Sequence, residues 1–223
     1  MAKAGTTPPS EERYKIGITG GIGAGKSLVA MVLERLGFPV YWADSRARLL
    51  MQTDEQLKKR IRKAFGEESY HPDGSLNARH LSRNVFQQPA KLRRLNNFVH
   101  PAVKRDFLQW AQTVELSPLA PFVFKEAAIV YEARAEDQLD WVWLVYAPLE
   151  TRIRRTLERD ESSREQVLQR IGRQWPSYTL RQRAETTIFN DGHHLVLPQI
   201  LRALEDTREA FSLPALAKAP ASQ

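Results

Sequence analysis

The chain has 223 residues, of which 33 are Lys or Arg and 26 are Asp or Glu, for a formal net charge of +7. At about 150 residues per domain this is one domain with insertions or two small ones, and 42% hydrophobic with 26% charged residues is a globular composition that argues against general disorder. The absence of cysteine excludes a disulfide scaffold, a thiolate metal site and a cysteine nucleophile.

The first 13 residues are polar with a Pro8-Pro9 pair and read as disordered. They hold no apolar stretch of the secretory kind. Tyr14–Thr19 is a short β-branched run that stops at glycines, so a first strand is expected there. Lys26 to Leu36 carries Leu28, Val29, Val32, Leu33 and Leu36 at helical spacing, with Gly37 in the C-cap region. Residues 39–43 form a second expected strand.

From Asp44 to Pro121 run 78 residues that read almost entirely as helix. Asp54 to Phe65, Asn77 to Phe86 and Pro101 to Glu115 are the clearest pieces. Residues 122–127 and 141–147 are the third and fourth strands, and Thr187 to Phe189 is a short fifth. Trp141 and Trp143 alternate with Val142 and Leu144, as a core strand does. Trp141 to Pro148 is the longest apolar run and is far too short to span a bilayer. Residues 151–184 form a second helical insertion, 195–211 an amphipathic helix, and the tail from Leu213 reads as disordered. Strands separated by helices predict an α/β fold: a parallel sheet flanked by helices, interrupted by two helical insertions.

The second insertion carries much of the charge. From Thr151 to Arg183 there are nine Arg, no Lys and four acids. Arginine without lysine suits bidentate phosphate recognition, although a solvated helical face accounts for the same composition. His193-His194 has no third ligand nearby and does not read as a metal site.

Gly20-Gly21-Ile22-Gly23-Ala24-Gly25-Lys26-Ser27 matches G-x-x-x-x-G-K-[ST], between an expected strand and an expected helix. Glycines let backbone N–H groups converge on phosphate oxygens. The following helix adds its partial positive charge. Lys26, expected to be exposed in the loop, would reach the β- and γ-phosphates of a nucleoside triphosphate, and the Ser27 hydroxyl would ligate Mg²⁺. Asp44 follows the second strand. There it is either a base for an attacking hydroxyl or the N-cap of the next helix; spacing alone leaves both open.

The run YKIGITGGIGAGKS, followed by LGFPVYWADSRAR, resembles the dephospho-CoA kinase family. That family shows G-[LI]-T-G-G-I-G-[SA]-G-K-[ST] and then a strand ending in D-A-D-x-x-A-R, matched here by Ala43, Asp44, Ala47 and Arg48. Val85-Phe86, Leu95 with Val99-His100-Pro101, Phe124 to Ala128, Tyr131 to Ala133, Arg155 with Arg159-Asp160, Arg170-Ile171 with Gln174, and Asn190 continue the resemblance over about residues 14–205. Three positions depart from it. Trp42 replaces the first Asp of D-A-D, Ala78 stands where the family often has Arg, with Arg79 adjacent, and Glu185 replaces an Asp before the last strand.

The resemblance implies transfer of the γ-phosphate of ATP to the 3′-hydroxyl of dephospho-CoA. It implies a P-loop core at 14–44 with 120–150 and 185–212, a helical CoA-substrate domain at 45–119, and an Arg-rich lid at 151–184, between a disordered 1–13 and 213–223. It places ATP on Gly21, Gly23, Ala24, Gly25, Lys26, Ser27, Leu28, Arg155, Arg159 and Asn190. Lys26, Asp44 and Arg155 are the catalytic set. Asp44, Arg48, His100 and Glu126 are the acceptor's contacts, and Ser27 is the Mg²⁺ ligand. Arg155 and Arg159 lie one turn apart, as a cationic clamp would, although i,i+4 pairs such as Arg154 with Glu158 fit a plain surface helix. His100 before Pro101 is also read as a helix start, with Pro at the first position. The expected partners are ATP and dephospho-CoA, with no nucleic acid and no membrane, in a cytoplasmic monomer. The competing readings are another P-loop kinase acting on a nucleoside or nucleotide, and a nucleic-acid-binding ATPase; for the latter only Trp175 and Tyr178 supply aromatics in the Arg-rich segment.

Overall fold

The computed structural model describes residues 12–86 and 88–214, with the side chain of Phe86 outside the description. Five strands, β1 (Tyr14–Thr19), β2 (Val40–Trp42), β3 (Phe122–Glu126), β4 (Trp141–Tyr146) and β5 (Thr186–Phe189), form one sheet in the order β2-β3-β1-β4-β5. β1 pairs in parallel with β3, Ile16 opposite Phe124, and with β4, Ile18 opposite Trp143. β4 pairs in parallel with β5. A central strand covered on both faces must be apolar throughout, and Ile16, Ile18, Phe122, Val123, Phe124 and Trp143 are all buried. Trp143 is 0% exposed, as expected of a core strand, and its indole N–H donates to Thr207 Oγ1 at 3.1 Å.

Among the described residues the chain divides into two compact units, one from Met1–Val40 and Val114–Gln223, the other Tyr41–Thr113. In the first, α1 (Lys26–Arg35) follows β1 and ends where Gly37 takes φ +87°, the left-handed geometry that closes helices. α6 (Leu149–Arg159), α7 (Arg164–Ile171) and α8 (Ser177–Arg183) connect β4 to β5, and α9 (Val196–Ala210) follows. α7 opens with a capping box in which Ser163 and Gln166 bond reciprocally. Glu185, the conservative departure before the last strand, accepts the Val142 N–H at 2.7 Å, so its carboxylate still closes the start of β4.

The second unit holds α2 (Ala43–Thr53), α3 (Glu55–Phe65), α4 (Ala78–Phe86) and α5 (Pro89–Thr113). Its core is Leu57, Ile61, Phe65, Leu81, Val85, Val99, Val103 and Phe107. Asp54 caps α3 by accepting from Gln56 N and Leu57 N. Asp106 takes both a bidentate Arg46 and the Tyr41 hydroxyl, at 2.6–2.9 Å. Burial, and then that carboxylate, push the Tyr41 hydroxyl's pKa upward.

Three expectations about elements need correction. The second strand is Val40–Trp42, shorter than 39–43, because Ala43 is already the first residue of α2. Pro101 does not start a helix. α5 runs from Pro89 through Pro101 to Thr113, since Val99, Ala102, Val103 and Phe107 keep the buried stripe continuous across the proline. Tertiary burial here outweighs the missing donor at Pro101. Disorder is expected over 1–13 and 213–223; residues 1–11 and 215–223 lie outside the described residues, while Arg13 donates to the Val114 carbonyl and the Leu213 N–H to the Arg208 carbonyl at 2.9 Å.

Candidate active site

The G-x-x-x-x-G-K-S segment joins the carboxyl end of β1, the central strand, to α1. In open parallel sheets that edge is where ligands collect. Gly25 at the N-cap of α1 has φ +98° and makes no side-chain cap hydrogen bond, so the first turn of the helix lacks the usual capping oxygen. An anion of phosphate type satisfies such a terminus. A Cβ at Gly25 would collide with the side-chain amide of Asn190, which donates from Nδ2 to the Ala24 carbonyl at 2.9 Å. Glycine is therefore required there by conformation and by close packing.

Lys26 is 8% exposed, contrary to the expectation of an exposed side chain. Its ammonium folds back over the loop and donates to the carbonyls of Gly20, at 2.9 Å, and Gly21, at 3.4 Å. An ammonium kept from bulk water needs such oxygen partners. Ser27 and Leu28 are exposed in the first turn of α1. Glu126 ends β3 in register with Ile18, one residue before β1 gives way to the loop, and is buried.

Two side chains grip the peptide units of Ile22, and sequence reasoning assigned neither to the site. The Gln174 Oε1 accepts the Ile22 N–H at 2.8 Å, while its Nε2 donates to the Ala128 carbonyl at 3.0 Å. Arg152 donates from Nε to the Ile22 carbonyl at 3.0 Å and from Nη1 to Ser177 Oγ at 3.1 Å. The available signal was spacing: Arg152, Arg155 and Arg159 fall at i, i+3 and i+7, one stripe of α6.

Arg155 donates from Nη1 to the Asn190 carbonyl at 2.9 Å and approaches its Oδ1 at 3.4 Å, so Arg155, Asn190 and Ala24 form one connected chain. Arg159 turns instead to Asp160, with bonds of 2.8 and 3.3 Å, and Arg170 completes the cluster at 2.7 Å. The guanidinium of Arg159, then that of Arg170, lowers the Asp160 carboxyl to a pKa of about 2. Arg154 and Glu158 do form the surface i,i+4 pair, at 3.8 Å. The Arg-rich segment is thus of both kinds, with a solvated face and an inward stripe.

The aromatics of that segment are placed differently from each other. The Trp175 indole stacks on Tyr131 at 5.8 Å between ring centres, and the Arg183 guanidinium lies over both rings. The Trp175 backbone N–H donates to Glu132 Oε1 at 2.7 Å. Tyr178 is 69% exposed. Trp175 is half-buried against Tyr131. His194 bonds Asp191 through Nδ1 at 2.9 Å, and Asp191 also accepts the N–H groups of His193 and His194.

Asp44, Arg48 and His100 belong to the second unit. Asp44 is the second residue of α2, and the N-cap is Trp42. The capping reading of Asp44 is therefore wrong: Ala43 already has helical geometry, so Asp44 lies inside the first turn. Arg48 is one turn further along the same face, and both side chains are exposed. His100 sits in the interior of α5, half-buried. Arg79 is exposed beside Ala78 at the start of α4.

The dephospho-CoA kinase family model matches residues 14–195. The chain is 38% identical to a dephospho-CoA kinase of Bacteroides fragilis over 190 residues, covering 85% of this chain and 91% of that protein. It is 37% identical to one of Chlorobium luteolum over 182 residues, 80% and 83% of the two chains. A crystal structure from Thermus thermophilus, 36% identical, superposes with a TM-score of 0.74 over 90% of this chain and 98% of that one. The Campylobacter jejuni dephospho-CoA kinase shares the fold, at 21% identity and a TM-score of 0.64 over 90% of this chain and all of that one. A nucleotide-type loop on the central strand, in a chain that this family model matches along most of its length, settles the assignment: the protein belongs to the dephospho-CoA kinase family of ATP-dependent kinases.

Proposed function

We propose that this chain moves the γ-phosphate of ATP onto the 3′-hydroxyl of the ribose of dephospho-CoA, releasing CoA and ADP. The observation that carries the reading is the glycine loop with Lys26 at the end of the central strand, in a chain of this family. In this reading the backbone N–H groups from Gly21 to Leu28, including Gly23, Ala24, Gly25, Lys26 and Ser27, take the phosphate oxygens. Lys26 exchanges the Gly20 and Gly21 carbonyls for the β- and γ-phosphates. Arg155, Arg159 and Asn190 serve the nucleotide, with Arg155 neutralising charge on the transferring group.

Asp44 takes the proton of the attacking hydroxyl. The new O–P bond forms as the bond from the γ-phosphorus to the bridging oxygen breaks, and ADP leaves with that electron pair. Arg48, His100 and Glu126 contact the acceptor, and residues 45–119 and 151–184 are its receiving domain and the lid. The exposed Ser27 hydroxyl at the start of α1 is a hard oxygen donor of the kind Mg²⁺ accepts. Bound there, the ion would neutralise phosphate charge.

The same reading makes the protein a cytoplasmic monomer. Among the described residues no helix is long and apolar enough to cross a membrane. The test is a panel of acceptors with purified protein and Mg²⁺-ATP, following ADP release and CoA formation. Dephospho-CoA is expected to be phosphorylated. A protein that phosphorylates a nucleoside and makes no CoA would replace this reading with its nearest competitor.

A further inference from the structure

The three arginines of the α6 stripe are not equivalent. Arg155 and Arg159 are partly or wholly exposed, whereas Arg152 is 6% exposed. Its partners, the Ile22 carbonyl and the Ser177 hydroxyl, are both neutral. Among the described residues no carboxylate lies within ion-pair distance of it. A Cβ at Gly21 would overlap the guanidinium, so the loop and this cation are packed against each other. Burial lowers the Arg152 pKa from that of free arginine, but a guanidinium stays charged at neutral pH.

A buried cation without a counter-ion opposes folding. Mechanical support alone does not call for a charge: Gln174, a neutral side chain, ties the adjoining Gly21–Ile22 peptide to Ala128 through the Ile22 N–H, and a neutral donor would serve the Ile22 carbonyl as well. What a charge adds at this place is positive potential under the phosphate-binding loop. In a poorly hydrated setting such potential acts strongly on an incoming polyanion.

We propose that Arg152 is a positioning residue for the triphosphate: a fixed positive charge behind the loop at Gly21 and Ile22 that strengthens binding in proportion to the nucleotide's phosphate charge. The role rests on reading the loop as an ATP site. It gives Gly21 a second reason to be glycine, since any side chain there would displace the cation.

The test compares the full-length protein with Arg152→Lys, which keeps the charge, and Arg152→Met, which keeps the apolar stem alone. ATP, ADP and AMP affinities are measured at low and high salt, with ligand-free melting temperatures. Arg152→Met is expected to weaken ATP about tenfold or more, ADP less and AMP least, with a shallower salt dependence. Arg152→Lys should stay within about threefold of the parent for ATP. The ligand-free melting temperature of Arg152→Met should fall at most slightly, because the donor lost to the Ile22 carbonyl and the Ser177 hydroxyl is offset by removal of an uncompensated buried charge. An equal loss for all three nucleotides, unchanged ATP affinity, or a large fall in melting temperature would each overturn the proposal in favour of a plain structural tie. A parent protein that binds no ATP would instead remove the ATP-site reading itself. A parent that binds ATP and makes CoA while Arg152→Met binds ATP normally removes only the role of Arg152.

Discussion

Replacing Asp44 by Asn keeps the side chain's volume and removes its capacity to take a proton. Because Asp44 lies in the first turn of α2 and is not the cap, the substitution loses only a carboxylate near a helix N-terminus, about 0.3–1 kcal/mol. Turnover is expected to fall about 10²–10⁴-fold with ATP affinity retained, the lower end applying if the transition state is loose. Steady-state kinetics beside a denaturation curve checks this; full turnover would remove the base assignment.

Lys26→Ala behaves differently, since this ammonium is buried against the Gly20 and Gly21 carbonyls. Turnover should drop by orders of magnitude. Stability should fall as well, by about 1–3 kcal/mol, as buried carbonyls lose a donor. Urea midpoints would reveal that second effect, which an exposed lysine would not produce.

Asp160 carries a pH dependence of known sign. Its folded carboxyl titrates at about 2, below its ordinary value of 3.8, so its contribution is complete above the unfolded pKa and is lost as pH falls from about 4 to about 2. Across that window Asp160→Asn should lose less stability than the parent, and thermal melts at stepped pH measure the difference.

At the scale of elements, α5 is the informative case. A helix interior tolerates proline poorly, at roughly 3 kcal/mol relative to alanine, yet Pro101 stands in the middle of 25 helical residues. The helix persists because its flanking apolar residues are buried on both sides of the proline. Pro101→Ala restores a backbone donor toward residue 97 and is expected to raise stability by up to about 3 kcal/mol, read as a higher urea midpoint. A lower midpoint would mean that the proline itself is needed for the packing of Val99 and Val103. The α6 stripe makes the complementary point. One helix carries a solvated pair, Arg154 with Glu158, and an arginine, Arg152, that touches the phosphate-binding loop. Composition alone assigns both to the same charge run.

For the whole molecule, ligand linkage follows the division of roles. A ligand at 100 times its dissociation constant stabilises the state that binds it by about 2.7 kcal/mol, so ATP should raise the melting temperature by several degrees. Hydrogen exchange locates the effect. ATP is expected to slow exchange in the glycine loop, α1 and α6, and dephospho-CoA to slow it within residues 41–113. Protection of residues 41–113 by ATP alone, with none from dephospho-CoA, would contradict the assignment of the acceptor to that unit.

The glycine loop, its preceding strand and its following helix were legible in the sequence because each rests on interactions within a few residues: β-branched alternation, a capping geometry, a 3.6-residue period. The family's motifs pointed to Asp44, Arg155 and Asn190, and of these Arg155 and Asn190 are hydrogen-bonded to each other beside the Ala24 carbonyl. What lay beyond reach was decided across long separations. Arg152 meets Ile22 over 130 positions and Gln174 meets it over 152, contacts that exist only because β1 lies between β3 and β4 in the folded sheet. The burial of Lys26 and the continuity of α5 through Pro101 have the same origin. Local rules report what a residue prefers, whereas water exclusion by distant segments decides whether that preference prevails.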